Sequence, residues 1–442
     1  MDLLILGIIV FLVALIFLLS GMPIAFALGF VSLLFIVLLM NPAELNLISL
    51  RIFEGLSEFG LLAIPLFILL GTAIGRSRAS DDLYEAVHRW LYRLPGGIGV
   101  TNIVSCAIFA ALCGSSPATA AAIGKMGIPE MRKRGYSNRL ATGVIAAGGT
   151  LGILIPPSVT MIVYGIATET SIGKLFIAGV IPGLILTGLF STWTILTYYR
   201  ESKKASLQMS HTVEPFKGYT WKEKFIILPK VLPFILLIFI IMGSLYLGLA
   251  TPSECAAVGA IAALILVGII YRTSIRNYIE ILEDATQDSV MIMMIIATAY
   301  LFGVVLNKLY VSQTIANAIV ALNLPPWGLM IVINLLLLFF GCFMPPVAII
   351  LILCPILHPV ILAAGFDPIW FGVVVTINME AGLITPPVGL NLYIIKGIAP
   401  DIPLTDVLRG SIPFIIMMFI TIALLYFFPQ LALWLPSQMI TR

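Results

Sequence analysis

Charge is what this sequence has least of. Only 10% of its 442 residues are charged, 24 Lys and Arg against 21 Asp and Glu. A soluble globular protein carries roughly 25%, because it needs such groups to cover its surface. The shortage excludes a soluble enzyme, and a net charge of +3 leaves no footprint for nucleic acid. Histidine is scarce too. His88, His211 and His358 share no motif, which argues against a His-based metal site or proton relay. Five cysteines (Cys106, Cys113, Cys255, Cys342 and Cys354) lie in apolar stretches without C-x-x-C spacing. They read as buried free thiols rather than disulfides or metal ligands. No basic segment precedes the first apolar run, Leu3–Leu19, so it reads as a retained span and not a cleaved signal.

What the chain has is hydrocarbon. Apolar residues make up 60% of it, and its mean hydropathy is +1.12. At roughly 20 residues per span, that allows about 13 crossings at most. Continuous apolar runs predict helices near 3–19, 22–40, 60–75, 174–199, 231–249, 254–271, 289–306 and 410–428. Segments near 78–93 and 273–288 mix charge with apolar spacing and read as surface helices.

Four apolar regions are interrupted. The stretch 99–124 breaks at Cys113-Gly114-Ser115-Ser116-Pro117, and 140–168 breaks at Gly148-Gly149-Thr150-Leu151-Gly152 and again at Pro156-Pro157. The stretch 327–363 breaks from Gly341 through Pro345-Pro346, and 369–397 breaks at Asn378-Met379-Glu380-Ala381-Gly382 and at Pro386-Pro387. Paired prolines strip a helix of backbone hydrogen bonds. In hydrocarbon each freed group costs several kcal/mol unless protein, water or a ligand satisfies it.

The breaks come in pairs. Gly152-Ile153-Leu154-Ile155-Pro156-Pro157 matches Gly382-Leu383-Ile384-Thr385-Pro386-Pro387, and Pro129 and Gly135 match Pro359 and Gly365. Pro117 pairs with Pro345 or Pro346, Pro23 with Pro252, and Gly29 with Gly259. Residues 1–199 and 231–442 therefore read as two copies of one unit. Basic residues crowd 125–139 (Lys125, Arg132, Lys133, Arg134, Arg139), whereas 355–369 has none. Arg272 and Arg276 mark a loop whose first-copy equivalent holds only Arg51. Basic loops stay cytoplasmic, so the repeat reads as inverted. The connector 200–230 has seven bases against three acids and amphipathic character; it is expected in the cytoplasm, with both termini periplasmic. The expected fold is an all-α polytopic membrane protein with two re-entrant hairpins, 99–124 and 327–363, and two broken helices, 140–168 and 369–397.

This pattern belongs to secondary transporters, where unwound carbonyls and helix ends gather at the bilayer midplane. A first sodium site is expected from Cys113, Ser116, Gly152, Ile155 and Pro157. A second is expected from Gly341, Met344, Gly382, Thr385 and Val388. Neutral oxygen ligands suit Na⁺ better than a proton. Ser115, Ser116, Thr150, Asn378 and Asn391 are the candidates for substrate contact. Glu380 is an intramembrane carboxylate and so a functional candidate by default; it is open between binding a cation, carrying a proton and pairing with a base, the pairing being favoured. Glu254 follows Thr251-Pro252 and suits helix capping.

The segments Gly21-Met22-Pro23-Ile24-Ala25-Phe26-Ala27-Leu28-Gly29, Gly114-Ser115-Ser116-Pro117-Ala118-Thr119-Ala120, Gly149 through Ser158, Thr251-Pro252-Ser253-Glu254 and Gly382 through Asn391 carry a resemblance. Together they make the chain similar to the large membrane subunit of tripartite ATP-independent periplasmic (TRAP) transporters. The resemblance implies sodium-driven uptake of organic anions, such as dicarboxylates or sialic acid, across a bacterial inner membrane. It also implies an elevator mechanism, a small four-helix membrane subunit as a separate polypeptide, a periplasmic substrate-binding protein, and no cofactor beyond Na⁺ as coupling ion. The competing readings are a stand-alone sodium/dicarboxylate symporter of the divalent-anion type, a channel, and an intramembrane protease. The protease reading is weakened because no His or Lys has a plausible position beside Ser115 or Ser116.

Overall fold

The structure is a computed structural model that describes residues 3–94, 96–206, 218–321 and 324–439. Every regular element among them is helical. The first half runs α1 (Leu3–Leu19), α2 (Ile24–Leu39), α3 (Ile48–Leu56), α4 (Ala63–Gly75), α5 (Ala79–Leu91), α6 (Gly97–Cys113), α7 (Ser116–Lys133), α8 (Asn138–Leu154), α9 (Val159–Ala167) and α10 (Ile172–Ser206). A short α11 (Trp221–Ile226) leads into the second half. That half runs α12 (Leu228–Tyr246), α13 (Pro252–Tyr271), α14 (Ile275–Lys308), α15 (Val311–Ala321), α16 (Pro326–Gly341), α17 (Pro346–Ala363), α18 (Pro368–Leu383), α19 (Leu390–Ile398), α20 (Leu404–Phe427) and α21 (Gln430–Ser437).

Local chemistry sets the boundaries. Ser137, Ser158, Ser274 and Asp367 cap the starts of α8, α9, α14 and α18 by accepting from backbone N–H groups one turn on. Thr251 and Glu254 form a reciprocal capping box at α13, the role expected of Glu254. Pro252, Pro326, Pro346 and Pro368 open their helices, where a missing N–H costs nothing.

Six described helices are long and apolar enough to cross a membrane, or eight if each bent pair is one span. Their outward faces are lipid-like: Phe239, Ile269 and Phe427 are among the large apolar side chains left exposed. The helices α8 and α18 lie innermost, with every residue from Leu140 to Leu154 and from Trp370 to Leu383 buried. Small residues permit this crowding. A methyl group on Gly143 would lie 2.2 Å from the Gly410 carbonyl oxygen, so α8 and α20 touch backbone to backbone. Around this centre α2 packs on α14, α4 on α13, α9 on α17 and α7 on α19.

Three expectations need correction. The segment 273–288 is not a separate surface helix. It is the first part of α14, which runs unbroken for 34 residues, because Arg76 neutralises its charged turns through Glu280 and Asp284. Gly148–Gly152 and Asn378–Gly382 are not unwound; both lie inside continuous helix, and only the Pro-Pro segments break it. The expected connector 200–230 is shorter than read, since α10 continues to Ser206 and α12 starts at Leu228; its residues 207–217 lie outside the described ones. A bend of 61° between 43–56 and 59–75 was not anticipated.

Candidate functional site

Helix ends converge at two places. The α6 helix stops at Cys113 because Gly114 takes the left-handed conformation (φ +63°), which suits glycine. Ser115 then caps α7, and Thr119 Oγ1 donates back to the Ser115 carbonyl at 2.8 Å. Nearby, α8 ends at Leu154 because Pro156 and Pro157 supply no N–H, and Ser158 restarts the chain as α9. A methyl group on Gly152 would lie 2.6 Å from the Ser115 carbonyl oxygen, and one on Gly114 would lie 2.7 Å from the Pro157 carbonyl oxygen. So the tip of the α6–α7 hairpin sits directly on the break of α8–α9. Four helix ends meet there, two offering carbonyls and two offering N–H groups.

The second place is built alike. The tip between α16 and α17 meets the break between α18 and α19. The Cα atom of Gly382 lies 3.1 Å from where a methyl group on Gly341 would stand, and Gly389 N–H donates to the Cys342 carbonyl at 3.3 Å. Thr385 donates its hydroxyl to the Ala381 carbonyl at 2.6 Å. Met344 is buried, and Val388 is exposed.

A buried hydrogen-bond cluster joins the two halves. Asn391 Nδ2 donates to Ser116 Oγ at 2.7 Å, and Ser116 Oγ donates to Glu380 Oε2 at 3.0 Å. The Ile153 N–H donates to Glu380 Oε1 at 3.2 Å. Ser116 and Asn391 are fully buried, and Glu380 is 1% exposed. Asn391 Oδ1 has no hydrogen-bond partner among the described residues, so an acceptor stands open beside this cluster.

The structure thus brings together Ser116 and Asn391 of the five substrate candidates, with Ser115 adjoining as the cap. It leaves two apart. Thr150 is inside α8, and its hydroxyl donates to the Ala147 carbonyl at 2.6 Å. Asn378 instead holds α18 to α16, its Nδ2 donating to Asn334 Oδ1 at 2.8 Å and to the Asn334 carbonyl at 3.0 Å. Glu380 has no basic partner among the described residues; a hydroxyl and a backbone amide take that place, contrary to the expected pairing with a base. Gly71 was missed: a methyl group there would lie 2.5 Å from the Cys113 carbonyl oxygen, so α4 approaches the first hairpin tip at its backbone. Nothing in an apolar run singles out that glycine.

Comparison with known proteins decides the family. Residues 10–431 match the tripartite ATP-independent periplasmic transporter, DctM component. The chain belongs to this TRAP transporter family. It is 38% identical to the C4-dicarboxylate TRAP transporter large permease protein DctM of Pseudomonas aeruginosa, over 91% of this chain and 92% of that one. It is 34% identical to the sialic acid TRAP transporter large permease protein SiaM of Vibrio cholerae, over 95% of both chains. The ectoine TRAP transporter large permease protein TeaC of Halomonas elongata is 30% identical, over 95% of this chain and 96% of that one. Among solved structures, the YdaH transporter of Alcanivorax borkumensis has a TM-score of 0.64 and 15% identity, covering 96% of this chain and 98% of its own; that likeness concerns the fold. The chain is a multi-pass TRAP permease subunit and not an enzyme, which removes the protease reading.

Proposed function

We propose that this permease subunit is a sodium-coupled secondary transporter importing a small organic acid across a bacterial inner membrane by an elevator motion. The observation carrying this reading is the pair of helix-end sites. Each half contributes one hairpin tip seated on one broken helix, and the ten helices α1 to α10 follow the order of the nine helices α12 to α20 once the bent pair α3–α4 is set against the unbroken α14. We read residues 1–199 and 231–442 as inverted repeats, with both hairpins re-entrant. The moving body is then the two hairpins and the helices α8, α9, α18 and α19. The remaining long helices form the scaffold.

In this reading the first Na⁺ sits among Cys113, Ser116, Gly152, Ile155 and Pro157, and the second among Gly341, Met344, Gly382, Thr385 and Val388. C-terminal carbonyls of α6, α8, α16 and α18 favour the cations, and N-termini of α7, α9, α17 and α19 favour the substrate carboxylate. Ser116 and Asn391 are the substrate contacts best supported by geometry. Ion pairs support the proposed sidedness. Arg132–Asp401 at 2.7 Å and Arg139–Asp406 at 2.8 Å join loops assigned to the cytoplasm, while Lys308–Glu44 joins segments assigned to the periplasm. The relatives' names support a C4-dicarboxylate, sialic acid or related substrate, delivered by a periplasmic binding protein to this chain and its small membrane subunit.

Omission of single components from reconstituted vesicles tests the assignment. Uptake is expected only with the binding protein, the small subunit and this chain together. Equal uptake by this chain alone would replace the reading with the stand-alone symporter.

A further inference from the structure

The described end of the connector, which transport does not account for, is built as a plate. The α11 helix starts with a capping box between Thr220 and Glu223 and lies on α5. Lys224 is turned inward and only 8% exposed. Its ammonium lies 5.1 Å from the Trp221 ring, 5.3 Å from Tyr92 and 5.5 Å from Trp90. Three aromatic faces thus stabilise a buried cation and weld α11 to α5. Trp90 also packs edge-on against Trp221 and Phe225, with ring centroids 6.2 Å and 5.8 Å apart, and Arg89 Nη1 donates to the Glu223 carbonyl at 2.6 Å.

The weld leaves large apolar side chains bare. Trp221 is 67% exposed, Ile226 63% and Phe225 54%, and Trp90 is exposed beside them. This apolar face does not end with α11. It runs on into α12 through the exposed Leu232, Leu236, Phe239 and Ile240, on a helix long and apolar enough to span a membrane. Aromatic rings where a span meets water are the mark of the bilayer interface. The flanking charge is positive. Lys222, next to Trp221 in the chain, and Arg93, whose Nε donates to the Tyr92 hydroxyl at 2.9 Å, are both exposed, while the acids nearby are engaged: Glu223 in its capping box, Glu85 with Arg89 at 2.8 Å and Asp82 with Lys230 at 3.4 Å.

We infer that the Trp90, Trp221 and Phe225 plate, flanked by Arg93 and Lys222, binds the headgroup of an anionic phospholipid in the leaflet facing the connector. Rings and bases are both needed: the rings set depth in the interface, and the bases select negative headgroups, each contributing about 1 kcal/mol. Because Lys224 fixes the rings in advance, little side-chain freedom is lost on binding. The inference does not depend on what the permease carries.

The test uses the full chain in lipid nanodiscs containing either brominated phosphatidylglycerol or brominated phosphatidylcholine. The signal is the tryptophan quenching lost in Trp221→Phe. Phosphatidylglycerol should quench Trp221 at lower mole fraction than phosphatidylcholine. Arg93→Gln and Lys222→Gln should each weaken that preference about fivefold, from about 1 kcal/mol per base. Lys222 is exposed, so Lys222→Gln remains readable if Arg93→Gln does not fold. Equal quenching by the two lipids, or a preference that survives loss of the bases, overturns the inference. So does quenching that disappears in the complex with the small membrane subunit, because a protein would then cover the plate.

Discussion

Gly152 shows how tightly single residues constrain this protein. Alanine is the better helix former by about 1 kcal/mol, yet its methyl group would lie 2.6 Å from the Ser115 carbonyl oxygen and 2.7 Å from Ser116 Cα. Backbone on both sides cannot yield as a side chain can. Gly152→Ala is therefore expected to destabilise the chain by about 1–3 kcal/mol through overpacking. Gly188→Ala on α10, with no atom within 4 Å of the new methyl, should be neutral or slightly stabilising; thermal denaturation in detergent compares the two. The same contacts explain a misreading at this scale. The run Gly148–Gly152 suggests an unwound helix, but these glycines serve close approach: Gly148 faces Cys106 Sγ, Gly149 faces Ala120 and Gly152 faces the hairpin tip. Composition does not separate a glycine that unwinds a helix from one that lets a neighbour in. Glu380 was legible as an unusual residue because carboxylates inside apolar runs are costly. Its partners were not, since Ser116 and Ile153 lie more than two hundred positions away.

Among the elements, the hairpins and broken helices were the most legible. Their signals are local: Gly114, Ser115 and Pro117 at one tip, Pro345-Pro346 at the other, and a Pro-Pro pair at each break. The α14 helix was less so. Acids at Glu280, Glu283, Asp284 and Asp288 resemble a surface helix until Arg76 is placed against Glu280 and Asp284. Such half-exposed pairs contribute at most about 1 kcal/mol each, but they let a charged turn continue a span. A cleft of about 520 Å³ opens between α5 and α7, lined by Glu85 and Met126 among others. If α7 moves against a scaffold containing α5, a flexible bifunctional reagent joining Glu85→Cys to Met126→Cys should abolish uptake, and cleaving the reagent should restore it. Undiminished uptake after verified crosslinking would remove the elevator motion from the account.

For the whole molecule, the scarcity of charge matters less than its placement. Bases cluster in 125–139 and 200–230 and are missing from 355–369, and the proposed opposite orientation of two copies rests on that asymmetry together with the matched prolines and glycines. Sequence carried the helical class and the places where helices break because hydrophobic length and proline position are local properties. It did not carry the interlocking of the halves, in which α7 packs on α19 and α9 on α17, because those contacts join segments far apart in the chain. We propose that sodium occupies the paired helix-end sites and drives uptake. The most direct test reconstitutes this chain with its small membrane subunit and binding protein and measures uptake of the acid that the binding protein retains, with Na⁺ or K⁺ outside. Accumulation is expected only with an inward Na⁺ gradient. Thr385→Ala, which removes one oxygen worth about 1 kcal/mol, is expected to raise the Na⁺ concentration for half-maximal uptake about fivefold. Equal accumulation in K⁺, or an unchanged Na⁺ dependence in Thr385→Ala, would contradict the proposal.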